Sequence, residues 1–180
     1  MTIKVKLYNG QKVPKVIKKG DWIDIYTVSE IRLCEPYANA LKRNRKGGQD
    51  NSTRNVQFNP QFVSLNMAMK LPEGYEAIVA PRSSAFKRWG ILLSNSIGII
   101  DSSFCGNADI WGAYLLPTKN AVIPARTAFL QFRIQPSQKA TLWQRIKWLF
   151  SSGKINFVET NNLKDESRGG FGSTDEKKQA

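Results

Sequence analysis

Residues 62–81 read FVSLNMAMKLPEGYEAIVAP. The stretch holds two apolar-rich runs, FVSLNMAMKLP and YEAIVAP, each closed by a proline, and each reads as a strand. The same pattern continues on both sides. In TIKVKLY, Ile3, Val5 and Leu7 occupy every second position, and in DWIDIYT, Trp22, Asp24 and Tyr26 alternate with Ile23 and Ile25. GAYLLPT and TAFLQFRIQP are further strand candidates. Short strands recurring about every ten residues between turn signals predict an all-β sandwich, barrel or jelly roll. There is no solenoid-like repeat.

Two stretches break the strand rhythm. Residues 38–55, ANALKRNRKGGQDNSTRN, are polar and basic through Lys42, Arg43, Arg45, Lys46 and Arg54, and read as a surface loop. Residues 139–153 contain the one convincing helix: Leu142, Ile146, Leu149 and Phe150 fall at i, i+4, i+7 and i+8 and form an apolar face. Arg145 and Lys147 lie off that face, and Trp148 sits beside its polar side. A face of this kind packs on its own domain or on a neighbouring subunit; a basic amphipathic helix lying on a membrane is the other reading.

Composition narrows the chemistry. The 180 residues fit one domain, and 41% apolar content is enough to bury a core. No apolar run approaches the ~20 residues that cross a bilayer, and the N-terminal stretch alternates where an export signal would be continuously apolar, so a protein of a reducing cytoplasm with no membrane partner is expected. Cys34 and Cys105 are the only cysteines and there is no histidine, which argues against a protein zinc site and a disulfide framework. Any general base at neutral pH is therefore a carboxylate, Lys, Tyr or Cys. The net charge of +13 points to an anionic partner such as nucleic acid, a nucleotide or an acidic surface, or else to a solvated basic surface.

Four segments look fit to handle a ligand. In APRSSAFKRWGI, Arg82, Ser83 and Ser84 offer a planar cation, two hydroxyls and backbone N–H groups, a set suited to phosphate; a proline-initiated turn with a surface arginine is the plain alternative. In NSIGIIDSSFCG, Gly98 permits a tight turn, and Asp101 follows Ile99 and Ile100. A carboxylate tucked among apolar residues can serve as a base, and an Asx-turn aspartate is the commoner case. GII and SFC could form the two arms of a hairpin. In GDWIDI, Asp24 is either an inward carboxylate ordering metal-bound water or a solvent-facing strand residue. In RGGFGST, residues 168–174, glycines and hydroxyls could cradle phosphate, or form a frayed terminus.

In this order, PRSS with a following lysine and GI, then Asn-x-x-Gly-x-Ile-Asp-x-x-aromatic-x-Gly, then a strand carrying Gln131, then RGGFGST, the chain resembles the trimeric dUTPase family from Asp24 to Thr174. PRSS-x-FK, the Cys-Gly after the aromatic and QFRI resemble its bacterial and phage-type members. The resemblance implies a β jelly roll of the β-clip type with one short helix, assembled as a homotrimer whose active sites draw segments from all three chains. It implies hydrolysis of dUTP to dUMP and pyrophosphate with Mg²⁺, keeping uracil out of DNA and supplying dUMP for dTMP synthesis. Asp101 would activate the water that attacks the α-phosphorus. Asn95 and the backbone from Gly98 through Ile100 to Phe104 would read uracil, and Phe104 would pack under the deoxyribose. Arg82, Ser83 and Ser84 would hold phosphates, and Asp24 and Gln131 would order water around phosphate and Mg²⁺, Asp24 meeting the ion only through water. Arg168 would bind phosphate, Phe171 would stack on uracil, and Gly172, Ser173 and Thr174 would wrap the γ-phosphate. Residues 1–165 would then be the jelly-roll domain, with basic-loop (38–55) and helical (139–153) insertions, and 166–180 a flexible lid and tail.

The chain also departs from the family pattern. Phe104 stands for the usual Tyr, Ala128 for Arg and Arg126 for Gly; Asn107 replaces an acidic residue and Asp175 a Gly. Ala128 removes an ion pair for which Arg126 could substitute. A dCTP deaminase, which shares the fold, does not carry the RGGFGST ending. The remaining rival is a non-catalytic interaction protein that binds protein or nucleic acid through its basic loop and helix.

Overall fold

The structure, a computed structural model, describes residues 1–16, 21–38, 56–151, 154–164 and 166–167. In chain order the strands are β1 (Thr2–Leu7), β2 (Ile23–Tyr26), β3 (Ile31–Leu33), β4 (Tyr37–Ala38), β5 (Val56–Gln57), β6 (Gln61–Ser64), β7 (Met67–Lys70) and β8 (Tyr75–Pro81). Helix α1 (Ala85–Trp89) follows, then β9 (Ile91–Leu93), β10 (Gly98–Asp101), β11 (Gly112–Pro117), β12 (Ala121–Ile123), β13 (Ala128–Pro136), helix α2 (Leu142–Ser151) and β14 (Asn156–Glu159). Among the described residues neither helix is long and apolar enough to cross a membrane.

Strand pairing joins segments distant in sequence. The largest sheet has the order β10-β8-β13-β2 and is antiparallel throughout. The other two larger sheets run β14-β1-β7 and β6-β11-β9, and two small ribbons pair β12 with β3 and β4 with β5. One cluster of buried side chains unites them: Ile3 and Met69 from the β14-β1-β7 sheet, Val79 and Phe132 from the largest, Ile91 and Leu115 from the β6-β11-β9 sheet. Phe132 lies at its centre, edge-on to Trp111 at 5.3 Å and to Phe157 at 6.0 Å between ring centroids. Period-two alternation produces this core directly, because Ile3 and Val5, Ile23 and Ile25, and Tyr75, Ala77 and Val79 all turn inward.

Three local features differ from the sequence reading. FVSLNMAMKLP is two strands: Asn66 takes a left-handed backbone (φ 55°), so β6 ends, and β7 joins a different sheet. SFC is not the second arm of a hairpin, because β10 pairs with β8. The helix spans Leu142–Ser151, and the apolar face does not pack on its own domain: Leu142, Leu149 and Phe150 are exposed and Ile146 half-buried. Its opposite side docks, through the Trp148 ring 5.7 Å from that of Tyr75 and a hydrogen bond from Gln144 Nε2 to the Glu73 carbonyl at 2.9 Å. The indole prevails over the aliphatic stripe because the β-turn carrying Glu73 and Gly74 fixes the side presented to the sheet; a Cβ at Gly74 (φ 80°) would lie 2.5 Å from Gln144.

Phe132→Ala is expected to lower the unfolding free energy by about 3–5 kcal/mol, since the cavity opens where two other rings meet it. Leu149→Ala, on the exposed face, should stay within about 0.5 kcal/mol. Urea unfolding at fixed protein concentration measures both.

Candidate active site

The proposed phosphate-side residues come together inside one chain. In β2, Ile23 and Ile25 enter the core, so Asp24 turns to the opposite face of the sheet and is half-buried there. The β2–β13 register sets Gln131 directly opposite Asp24, so both side chains share that face. Arg82 follows β8, where its backbone N–H bonds the Phe129 carbonyl at 3.2 Å, and its Nε lies 3.3 Å from Asp24 Oδ1. Gln131 Nε2 donates to the Pro81 carbonyl at 3.3 Å. Asp24 is thus neither inward nor simply solvent-facing, but paired on the polar face of the sheet. A partly exposed ion pair of this kind contributes at most about 1 kcal/mol to stability, so its effect is mainly to orient the guanidinium.

Ser83 and Ser84 lead from Arg82 into α1. Ser84 is the N-cap residue but makes no side-chain capping bond, so the helix does not consume its hydroxyl. The helix ends at Gly90, whose left-handed backbone (φ 65°) and approach to Thr118 exclude a Cβ. Beside Asp24 opens a cleft of ≈370 Å³ lined by Gln11, Lys12, Lys15, Tyr26 and Arg126 among others. Arg126 bonds the Gly10 carbonyl at 3.0 Å, and the ion-pair partner of Asp24 is Arg82.

The second group of residues lies around β10, an edge strand of the largest sheet. The Ile100 side chain is buried, so only its backbone can meet a ligand. Gly98 packs close to Val79: a Cβ there would lie 3.4 Å from the valine Cβ. Asn95 is exposed in the turn before β10, which is tightened by Ser96 at φ 63°. Asp101 is exposed and not tucked among apolar groups; its Oδ1 accepts the Ser103 N–H at 2.8 Å and the Ser103 hydroxyl. This Asx-turn holds the carboxylate in place, and Phe104, half-buried against the core, bonds the Asp101 carbonyl through its N–H at 3.2 Å. The Ser103 N–H is the partner that an Asx-turn predicts, two residues after the aspartate. A second turn follows, in which the buried Asp109 accepts the Gly106 N–H at 2.8 Å and Tyr8 donates its hydroxyl to the Asn107 carbonyl.

The two groups of residues do not meet within the chain. Asp101 stands opposite Glu76 at one end of β8, and Arg82 lies just beyond Pro81 at the other. Six residue steps separate Glu76 from Arg82, roughly 20 Å at the usual rise. Arg168, Phe171, Gly172, Ser173 and Thr174 lie outside the described residues, as do Lys42, Arg43, Arg45, Lys46 and Arg54 of the basic loop.

This arrangement of strands is that of solved dUTPases. The structure of dUTPase from Streptococcus mutans matches 77% of this chain and 98% of its own, with a TM-score of 0.56 at 15% identity. A dUTPase from phage phi11 of S. aureus matches 79% of this chain and 95% of its own, with a TM-score of 0.55 at 14% identity. No protein-family model matches the chain. In sequence, however, it is 32% identical over 175 residues to the SPbeta prophage-derived deoxyuridine 5'-triphosphate nucleotidohydrolase of Bacillus subtilis (strain 168), covering 97% of this chain and 98% of the relative. The chain therefore belongs to the deoxyuridine 5'-triphosphate nucleotidohydrolase (dUTPase) family. The comparisons favour an enzyme over the non-catalytic interaction protein.

Burial, and secondarily the charge of Asp109, pushes the Tyr8 phenol above its usual value. The neutral phenol is the form the fold favours, so its contribution to stability is complete below about pH 10 and is lost as the pH rises through the higher folded value. Absorbance titration should show a tyrosine component that ionises late, and Tyr8→Phe should remove it.

Proposed function

We propose that the protein hydrolyses dUTP to dUMP and pyrophosphate as a homotrimer, keeping uracil out of DNA and supplying dUMP for dTMP synthesis. The observation that carries the trimeric reading is the separation of Asp101 from Arg82 at the two ends of β8. A water-activating carboxylate and a phosphate-holding guanidinium must act on the same triphosphate, so a site complete in both draws them from different copies of the chain. Cyclic symmetry then makes three identical sites. Residues 1–165 form the jelly-roll domain in this reading, and 166–180 carry the lid. A cytoplasmic setting, where the nucleotide pool lies, fits the reading.

At each site the outer edge of β10 and Asn95 bind uracil, with Phe104 beneath the deoxyribose. Arg82, Ser83 and Ser84 of a second copy hold the phosphates, and Asp24 and Gln131 order water beside them. Asp101 orients a water molecule and takes its proton as the water oxygen bonds the α-phosphorus; the bond from that phosphorus to the α–β bridging oxygen breaks, and pyrophosphate leaves. Phosphoryl transfer asks chiefly for positioning and charge stabilisation, which suits a chain without histidine. Arg168, Phe171 and the Gly172-Ser173-Thr174 run cover the bound nucleotide. Among the described residues no three His, Cys, Asp or Glu side chains stand together, a donor set that fits a hydrated ion carried by the substrate and not a protein cage. When bound, Mg²⁺ would be held chiefly by the triphosphate, with Asp24 reached through water, and would neutralise charge at the phosphate oxygens; the phage phi11 dUTPase structure describes a structural Mg(II) ion.

Purified protein should release pyrophosphate from dUTP and leave dCTP, dTTP and UTP nearly untouched. Asp101→Asn should lower kcat by about a thousandfold or more. Mixing inactive Asp101→Asn subunits with inactive Arg82→Ala subunits, after unfolding and reassembly, should restore about a quarter of the wild-type activity, the share of sites that receive both intact residues. No recovery in trimers shown to be mixed would rule out the shared site, and normal turnover by Asp101→Asn would remove that residue from its role.

A further inference from the structure

We infer that Asn107 is a positioning residue that holds the C-terminal arm, as far as Ser167, against the loop following Asp101, and acts through that arm on the segment 168–174 next in sequence. The inference rests on the reading above, in which that segment contacts the nucleotide. Asn107 is also one of the positions at which the chain departs from the family pattern.

The side chain uses both ends of its amide. Oδ1 accepts the Leu163 N–H at 3.0 Å, and Nδ2 donates to Asn162 Oδ1 at 2.8 Å. The same Asn162 oxygen accepts the Lys164 N–H at 2.8 Å and bends the arm, with Lys164 at φ 63°. Leu163 is buried, so the arm is seated by an apolar side chain as well as by hydrogen bonds. Three residues on from Lys164, Ser167 Oγ accepts the Ala108 N–H at 2.9 Å. Gly106 makes this approach possible: a Cβ there would lie 2.5 Å from Ser167 Cα. From below, Tyr8 donates to the Asn107 carbonyl and Asp109 closes the turn on Gly106. Asn107 therefore lies six residues after Asp101 and bonds the arm that ends at Ser167, immediately before Arg168. A carboxylate at this position has no N–H with which to meet Asn162.

The arm does not depend on Asn107 for its fold. β14 pairs in parallel with β1 from Thr2↔Asn156 to Val5↔Glu159, and the Thr160 N–H bonds the Val5 carbonyl at 2.8 Å. Loss of the amide should leave the domain folded and free only the last residues before the lid.

Steady-state kinetics with dUTP test this in two backgrounds, the full-length wild type and the Arg168→Ala/Phe171→Ala protein. In the wild type, Asn107→Ala is expected to raise KM about tenfold with a smaller change in kcat. Asn107→Asp, which keeps the acceptor for Leu163 and loses the donor for Asn162, should fall between Asn107→Ala and wild type. Gly106→Ala, which displaces Ser167, should follow the Asn107→Ala pattern. In the Arg168→Ala/Phe171→Ala background, Asn107→Ala should add less than about a twofold change, because the segment it positions no longer contributes. Equal losses in both backgrounds, or no loss in the wild type, would overturn the role of Asn107 alone. Full activity of Arg168→Ala/Phe171→Ala would overturn the assignment of the C-terminal segment, and the role of Asn107 with it.

Discussion

Strand β8 is hydrogen-bonded along both edges, to β10 on one side and β13 on the other. That double pairing leaves it no freedom to shorten or bend, so its seven residues act as a spacer of fixed length. At one end it aligns with Asp101; at the other it delivers Arg82 to Asp24 and Gln131. The same strand turns Tyr75, Ala77 and Val79 into the core, which ties the spacer to the stability of the whole domain. Any site that needs both ends at one phosphate chain must be built from more than one copy.

Positive charge gathers beside Asp24, and Arg126, one of several non-glycine residues with a left-handed backbone, lies there too. Lys12, Lys15 and Arg126 line the cleft beside Asp24 and contribute to the net charge of +13. Arg126 adopts a left-handed backbone (φ 59°), which costs a non-glycine residue about 1–3 kcal/mol. The residue is held there by its own N–H on the Thr27 carbonyl and its guanidinium on the Gly10 carbonyl. A glycine, the residue that the family pattern carries here, would take this backbone without strain but could not reach Gly10.

Much of the architecture was legible because strand alternation is a local property. Ile3 and Val5, Ile23 and Ile25, and the alternating residues of YEAIVAP are buried as their period requires. Spacing in a family pattern singled out Asp101, Asn95, Arg82 and Gln131 as site candidates, and the fold sets Arg82 and Gln131 beside Asp24. The failures came where a single residue redirects the chain or where another element chooses a face. Asn66 divides one apolar run between two sheets through its backbone angle alone. Helix α2 displays its aliphatic stripe outward because Tyr75 and the Glu73 carbonyl capture Trp148 and Gln144.

By itself, the sequence determined the strand class and the core positions within each strand, and it named the candidate site residues, because periodicity and side-chain chemistry are written residue by residue. Tertiary structure alone decided which strands are neighbours and which of the candidate site residues stand together. It paired Asp24 with Arg82 across 58 positions, held Asp101 away from both, and brought Asn107 against Leu163. The physical reason is that strand register and sheet order are set by long-range hydrogen bonds and by the burial they permit together, and no local window of sequence contains both partners.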